Sequence, residues 1–121
     1  MQPHDPAARL LVALEQWDDL ALASVLNPDV RLVVDSGDDT GGDLHGRAHV
    51  TRVLRERLAR HPEASLHIVH VNGRSGVALR RHDGAVLGVL SIEGTETIEA
   101  LWLSTAPRKL AHWNRRRPAL E

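Results

Sequence analysis

Apolar and polar positions follow a helical period in the first half of this chain and a strand period in the second, so a helical region should precede a sheet. Ala7, Leu10, Leu11, Leu14 and Trp17 recur at helical spacing after Asp5-Pro6, a capping side chain followed by proline at the first helical position. Asp18-Asp19 caps a second, shorter helix carrying Leu22, Val25 and Leu26, which must stop near Asn27 because Pro28 disfavours a helical conformation in the residue before it. Val30-Arg31-Leu32-Val33-Val34-Asp35 predicts a strand, running out after Ser36 into an acidic, glycine-rich loop whose stretch from Gly37 to Asp43 is expected to be mobile and to gate a site. Val50, Val53, Leu54 and Leu58 mark a third helix that ends at His61-Pro62.

The remainder alternates with period two. Strands are predicted at about Ser65 to Val71, Gly76 to His82, Ala85 to Glu93 and Thr97 to Thr105, in meander order. Asn72-Gly73 and Asp83-Gly84 supply the positive φ angles of two tight turns. This order predicts an α+β fold in which helices cover one face of a curved antiparallel sheet. Val77, Leu79, Val86, Leu90 and Ile92 are expected on the face packed against the helices. The opposite face, with Ala78, Arg80, Leu87 and Val89, is expected to lie exposed in a monomer and so to form a homodimer interface.

Composition narrows the possibilities. With 121 residues the chain fits one domain over 1–121, with a core at about 7–113 and a flexible tail at 114–121. A net charge of −1 provides no global field for nucleic acid, and the arginines 115–117 read as a solvated terminus. The absence of cysteine excludes a disulfide framework and a thiol nucleophile. No signal-peptide pattern and no run of roughly 20 apolar residues is present, so a soluble, cytoplasmic protein without membrane contact is expected. The three tryptophans, with no phenylalanine or tyrosine, leave aliphatic side chains to build the core.

The element order resembles the nuclear transport factor 2-like, or SnoaL-like, superfamily, whose bent sheet forms a cone around a helix. Val30–Gly37, Leu44-His45-Gly46-Arg47, Val71-Asn72-Gly73, Gly76-Val77-Ala78-Leu79-Arg80 and Gly88-Val89-Leu90 are similar to the SnoaL-like domain at the C-terminus of actinobacterial extracytoplasmic-function sigma factors. Where that family has Asn-Pro-Asp-Lys after the last strand, this chain reads Thr105-Ala106-Pro107-Arg108-Lys109-Leu110, and it contains nothing like the promoter-binding regions. The resemblance implies a free-standing accessory domain. Its role would be to bind a small hydrophobic molecule or a transcription-related protein. The alternative it implies is a small isomerase, cyclase or hydrolase working by acid–base catalysis inside the cone.

For such catalysis the candidates are Asp35 and His70, with Glu99 and Arg80 behind them, since burial in a cone would raise a carboxylate's pKa toward neutrality. Arg81 and Asp83 form an Arg-x-Asp pair, but turn chemistry alone accounts for Asp83-Gly84. The missing tyrosine disfavours steroid-isomerase-like chemistry. Trp17 and Trp102 are expected to flank a ligand pocket, with Asp35 or His70 as its polar contact. Neither metal nor cofactor is expected: His67 and His70, three apart on a strand, point to opposite faces, and Gly46 interrupts the pair His45 and His49.

Overall fold

A computed structural model describes residues 5–38 and 41–115. Helix α1 spans Pro6–Gln16, and the Asp5 carboxylate accepts the Ala7 N–H at its start. It ends at Trp17, which adopts a left-handed conformation (φ 48°). Asp18 then accepts from the N–H groups of Leu20 and Ala21 to cap α2, Asp19–Val25. Both caps follow from the short side chains of Asp5 and Asp18, each of which reaches donors that have no partner within the helix.

Strand β1, Leu26–Asp35, follows α2 directly. It therefore starts earlier than the β-branched run suggests. Its pairing is irregular between Leu26 and Arg31, where Pro28 lacks the N–H a ladder needs. A short strand β2, Gly42–His45, pairs antiparallel with β1 where a loop was expected, and the Arg31 guanidinium clamps Asp43 across the two strands at 2.8 Å. Asp39 and Thr40 of the predicted gating loop lie outside the described residues. Helix α3 spans Arg47–Ala59, and its first residue donates to the Ala23 and Leu26 carbonyls at the end of α2. The Leu44–Arg47 motif is thereby explained as a fastening of α3 to the helical hairpin.

Strands β3 (Ser65–Val71), β4 (Arg74–Arg80), β5 (Val86–Glu93) and β6 (Ile98–Ser104) form the expected meander. Asn72 and Gly73 both have positive φ (52° and 81°), as the two-residue β3–β4 turn demands. Sheet order is β2-β1-β6-β5-β4-β3. All neighbours are antiparallel except β1 and β6, which run parallel from Arg31↔Ala100 to Asp35↔Ser104. The core lies on the inner face, where α1, α2 and α3 bring Leu10, Leu14, Leu22 and Leu54 against Leu32, Val77, Leu90 and Leu101.

The outer face differs from expectation. Helix α4, Pro107–Arg115, crosses it and places Leu110 and Trp113 over Ala78, Val86 and Val89. Ala78 and Val89 are 0% and 4% exposed. The apolar patch offered as the motive for a homodimer is thus covered within the chain. Asn114 makes the seat specific, accepting from the Val86 N–H at 2.7 Å and donating to the Val86 carbonyl. The expected tail therefore begins as structure, and residues 116–121 lie outside the described residues. Arg80 is half-buried and donates to the Gly84 carbonyl.

Leu87 changes face as well. Leu79 pairs with Gly88 but Arg80 pairs with Val86, so Leu87 is an extra residue in a bulge. A one-residue slip exchanges faces. Val86 therefore joins the outer cluster under α4, and Leu87 turns to the inner side.

If α4 is an integral cover, Leu110→Ala should lower stability by about 2 kcal/mol, the low end for truncating a buried leucine. Urea unfolding measures this directly. A change within experimental error would mean that α4 contributes no packing.

Candidate functional site: an apolar cavity inside the cone

Between α3 and the inner face of the sheet lies a cavity of about 280 Å³. Its walls follow from strand alternation. Val77 and Leu79 of β4, Gly88 and Leu90 of β5, and Leu103 of β6 share the inner face, and Leu87 joins them through the bulge. Leu14 closes it from α1, and Leu54 and Leu58 close it from α3. Gly88 forms part of the floor: a methyl group added there would sit in ordinary contact, 3.5 Å from Leu103 and Thr105.

The polar part of the lining is basic. Arg57, Arg60 and His61, at the C-terminal end of α3, line the cavity together with Thr105, and no carboxylate does. Arg60 and His61 are exposed, which marks where the cavity opens. The residues at the end of α3 are fixed by the chain, since the Arg60 and His61 N–H groups donate to the Arg57 and Leu58 carbonyls.

The four residues expected to form a pocket are dispersed. Trp17 comes nearest: it lines a groove that shares Leu14, Leu58, His61, Leu66 and Leu79 with the cavity, and the Arg55 guanidinium stacks on its ring at 4.7 Å. Trp102 lies on the outer face, opposite Val33 and Ser91, with Arg31 over its ring at 6.0 Å. His70 is exposed near the end of β3, the edge strand, where its inner-face neighbour Ile68 is itself 42% exposed. Asp35 belongs to the outer face, because Val34 takes the inward position, and its carboxylate meets Lys109 of α4 at 2.8 Å.

The electrostatics of Asp35 run opposite to those of a tuned base. The hydrogen-bonded Lys109 ammonium holds its carboxyl below the ordinary value of 3.8. Glu99 is exposed, and Asp83 forms a forked pair with Arg81 at the surface, at 2.9 and 3.2 Å. Among the described residues no polar or charged side chain is buried, and no three acidic or histidine side chains gather to hold a metal. Among those residues no helix is long and apolar enough to cross a membrane.

The residues that line the cavity carried a partial signal in the sequence. Leu54 and Leu58 sit one turn apart on the apolar stripe of α3, but that stripe reads as ordinary core. Nothing in the sequence showed that the space beneath it stays unfilled. His61 marked only the end of the third helix beside Pro62.

No family model and no curated protein matches the sequence. Solved structures do resemble this one. The extracytoplasmic function sigma factor SigJ of Mycobacterium tuberculosis superposes with a TM-score of 0.69 at 23% identity, over 89% of this chain. This chain spans only 44% of the sigma factor's length. A candidate isomerase of the SnoaL-like family from Agrobacterium tumefaciens gives a TM-score of 0.58 at 12% identity, covering 82% of this chain and 92% of that one. TerC, co-crystallised with polyporic acid, gives 0.58 at 16% identity, covering 88% and 93%. These likenesses establish the fold: a cone-shaped NTF2-like, or SnoaL-like, architecture with a six-stranded, unclosed sheet.

The Asp35–Lys109 pair yields a pH prediction. A lowered folded-state pKa means that the pair contributes stability above pH 3.8, and that the contribution is lost as pH falls through the folded value. Asp35→Asn should therefore unfold at lower urea than the parent near neutrality, and the gap should close below pH 3.8. A gap that is constant with pH would show that the ion pair does not secure α4.

Proposed function

We infer that this chain is a binding module for small apolar molecules, which it takes up in the cone. One observation carries the reading: a 280 Å³ cavity walled by leucine and valine side chains persists between α3 and the sheet. Close packing is the rule in protein interiors, and a fold with this many leucines had the means to fill the space. An apolar cavity of about 150 Å³ holds benzene, so this one has room for roughly a dozen non-hydrogen atoms. The lining supports binding over catalysis, because a base or acid must lie within hydrogen-bond reach of the reacting group. The lining holds no carboxylate, its one histidine, His61, sits exposed at the rim and not among the apolar walls, and Asp35 and His70 line no part of it.

The likeness to TerC, co-crystallised with polyporic acid, supports a ligand-bearing role for this architecture. The likeness to SigJ supports a setting in transcription, with the module reporting occupancy of its cone to a transcription-related partner. Only the fold is common ground here, and folds of this kind host many functions.

Filling the floor tests the reading. Gly88→Val projects a side chain suited to a strand into the cavity, so the affinity of a fitting apolar probe should fall at least ~10-fold. Trp102→Leu, on the outer face, should leave that affinity unchanged. Titration calorimetry with naphthalene-sized compounds reads both. Unimpaired binding to Gly88→Val would locate the site elsewhere.

A further inference from the structure

We propose that the ligand is an amphiphilic anion, an apolar body bearing a carboxylate that is held at the cavity mouth by Arg60 and His61. This rests on the reading of the cavity as a binding site and names the chemistry that the site selects. The walls are uniformly apolar, whereas the charged and titratable groups of the lining are all basic: Arg57, Arg60 and His61. Glu15 lines the adjoining groove, as His61 also does, but not the cavity.

A helix C-terminus attracts cations by itself, through the partial negative charge of its free carbonyls. That accounts for basic residues at the end of α3. It does not account for their opening onto an apolar cavity from which carboxylates are excluded.

The local partners support the assignment. Arg55 stacks on Trp17 and pairs with Asp19, and Arg31, Arg81 and Lys109 each pair with an aspartate. Among the described residues no ion pair or side-chain hydrogen bond engages the Arg60 guanidinium or the His61 ring. Arg60 can therefore meet a carboxylate without giving up an existing bond. A guanidinium presents parallel N–H donors that match both carboxylate oxygens. The apolar body would lie against Leu54, Leu90 and Leu103, and the charge would stay at the wet rim. That division avoids the cost of burying an unpaired ion.

The size of the cavity suggests naphthalene-2-carboxylate as a probe, with naphthalene-2-carboxamide as its uncharged isostere. Calorimetry on the intact protein should give at least ~10-fold tighter binding of the acid, with the advantage shrinking as salt is raised. Arg60→Glu, a change at an exposed position, should abolish the acid's advantage over the amide. Equal affinity of acid and amide for the parent would overturn the anion assignment and leave the apolar site standing. An Arg60→Glu protein that retains the acid's advantage would overturn it in the same way. Failure of both compounds to bind, or binding undiminished by Gly88→Val, would overturn the cavity as the site and this inference with it.

Discussion

The parallel pairing of β1 with β6 is the constraint on which the rest of the molecule depends. It joins the helical half of the chain to the meander across roughly seventy residues of sequence, so its loop-closure cost is met only when both halves are assembled. On its inner side Leu32 and Val34 lie beside Leu101 and Leu103, which fixes one wall of the core. On its outer side the same register sets Asp35 against Ser104. The Thr105 N–H then donates to the Asp35 carbonyl, and the chain leaves the sheet at the point where Lys109 can reach the Asp35 carboxylate.

That exit point decides the fate of the second sheet face. A sheet that is apolar on both sides needs two covers, and here the second is α4, laid across β5 by Leu110, Trp113 and the two hydrogen bonds of Asn114. Asp35 thereby becomes an anchor. Pro107 begins this helix and Lys109 secures it.

The bulge at Leu87 links the two faces. By taking one extra residue, β5 supplies Val86 to the outer cluster and Leu87 to the cavity. A regular strand would have sent Leu87 outward. The cavity is thus a product of the sheet's irregularity together with the missing side chain of Gly88, and its chemistry is set by the helix end that overhangs it.

Much of the fold was determined by the sequence alone. Asp5-Pro6 and Asp18 dictated helix starts through their short capping side chains, and Asn72-Gly73 dictated a turn because few other pairs accept positive φ twice. These are local interactions, and local sequence suffices for them. The inner face of β4 was also legible, since period two is a property of the backbone. Tertiary structure decided the rest. Whether Asp35 faced a cavity or a lysine depended on a helix that the sequence pattern did not predict, only its last two residues falling in the expected tail, because a nine-residue segment of this composition needs the sheet to hold its helical form. Whether Trp17 and Trp102 met depended on the face each took and on the distance between elements. Emptiness is likewise a tertiary property: each leucine around the cavity reads as core, and only their assembled geometry leaves a space among them.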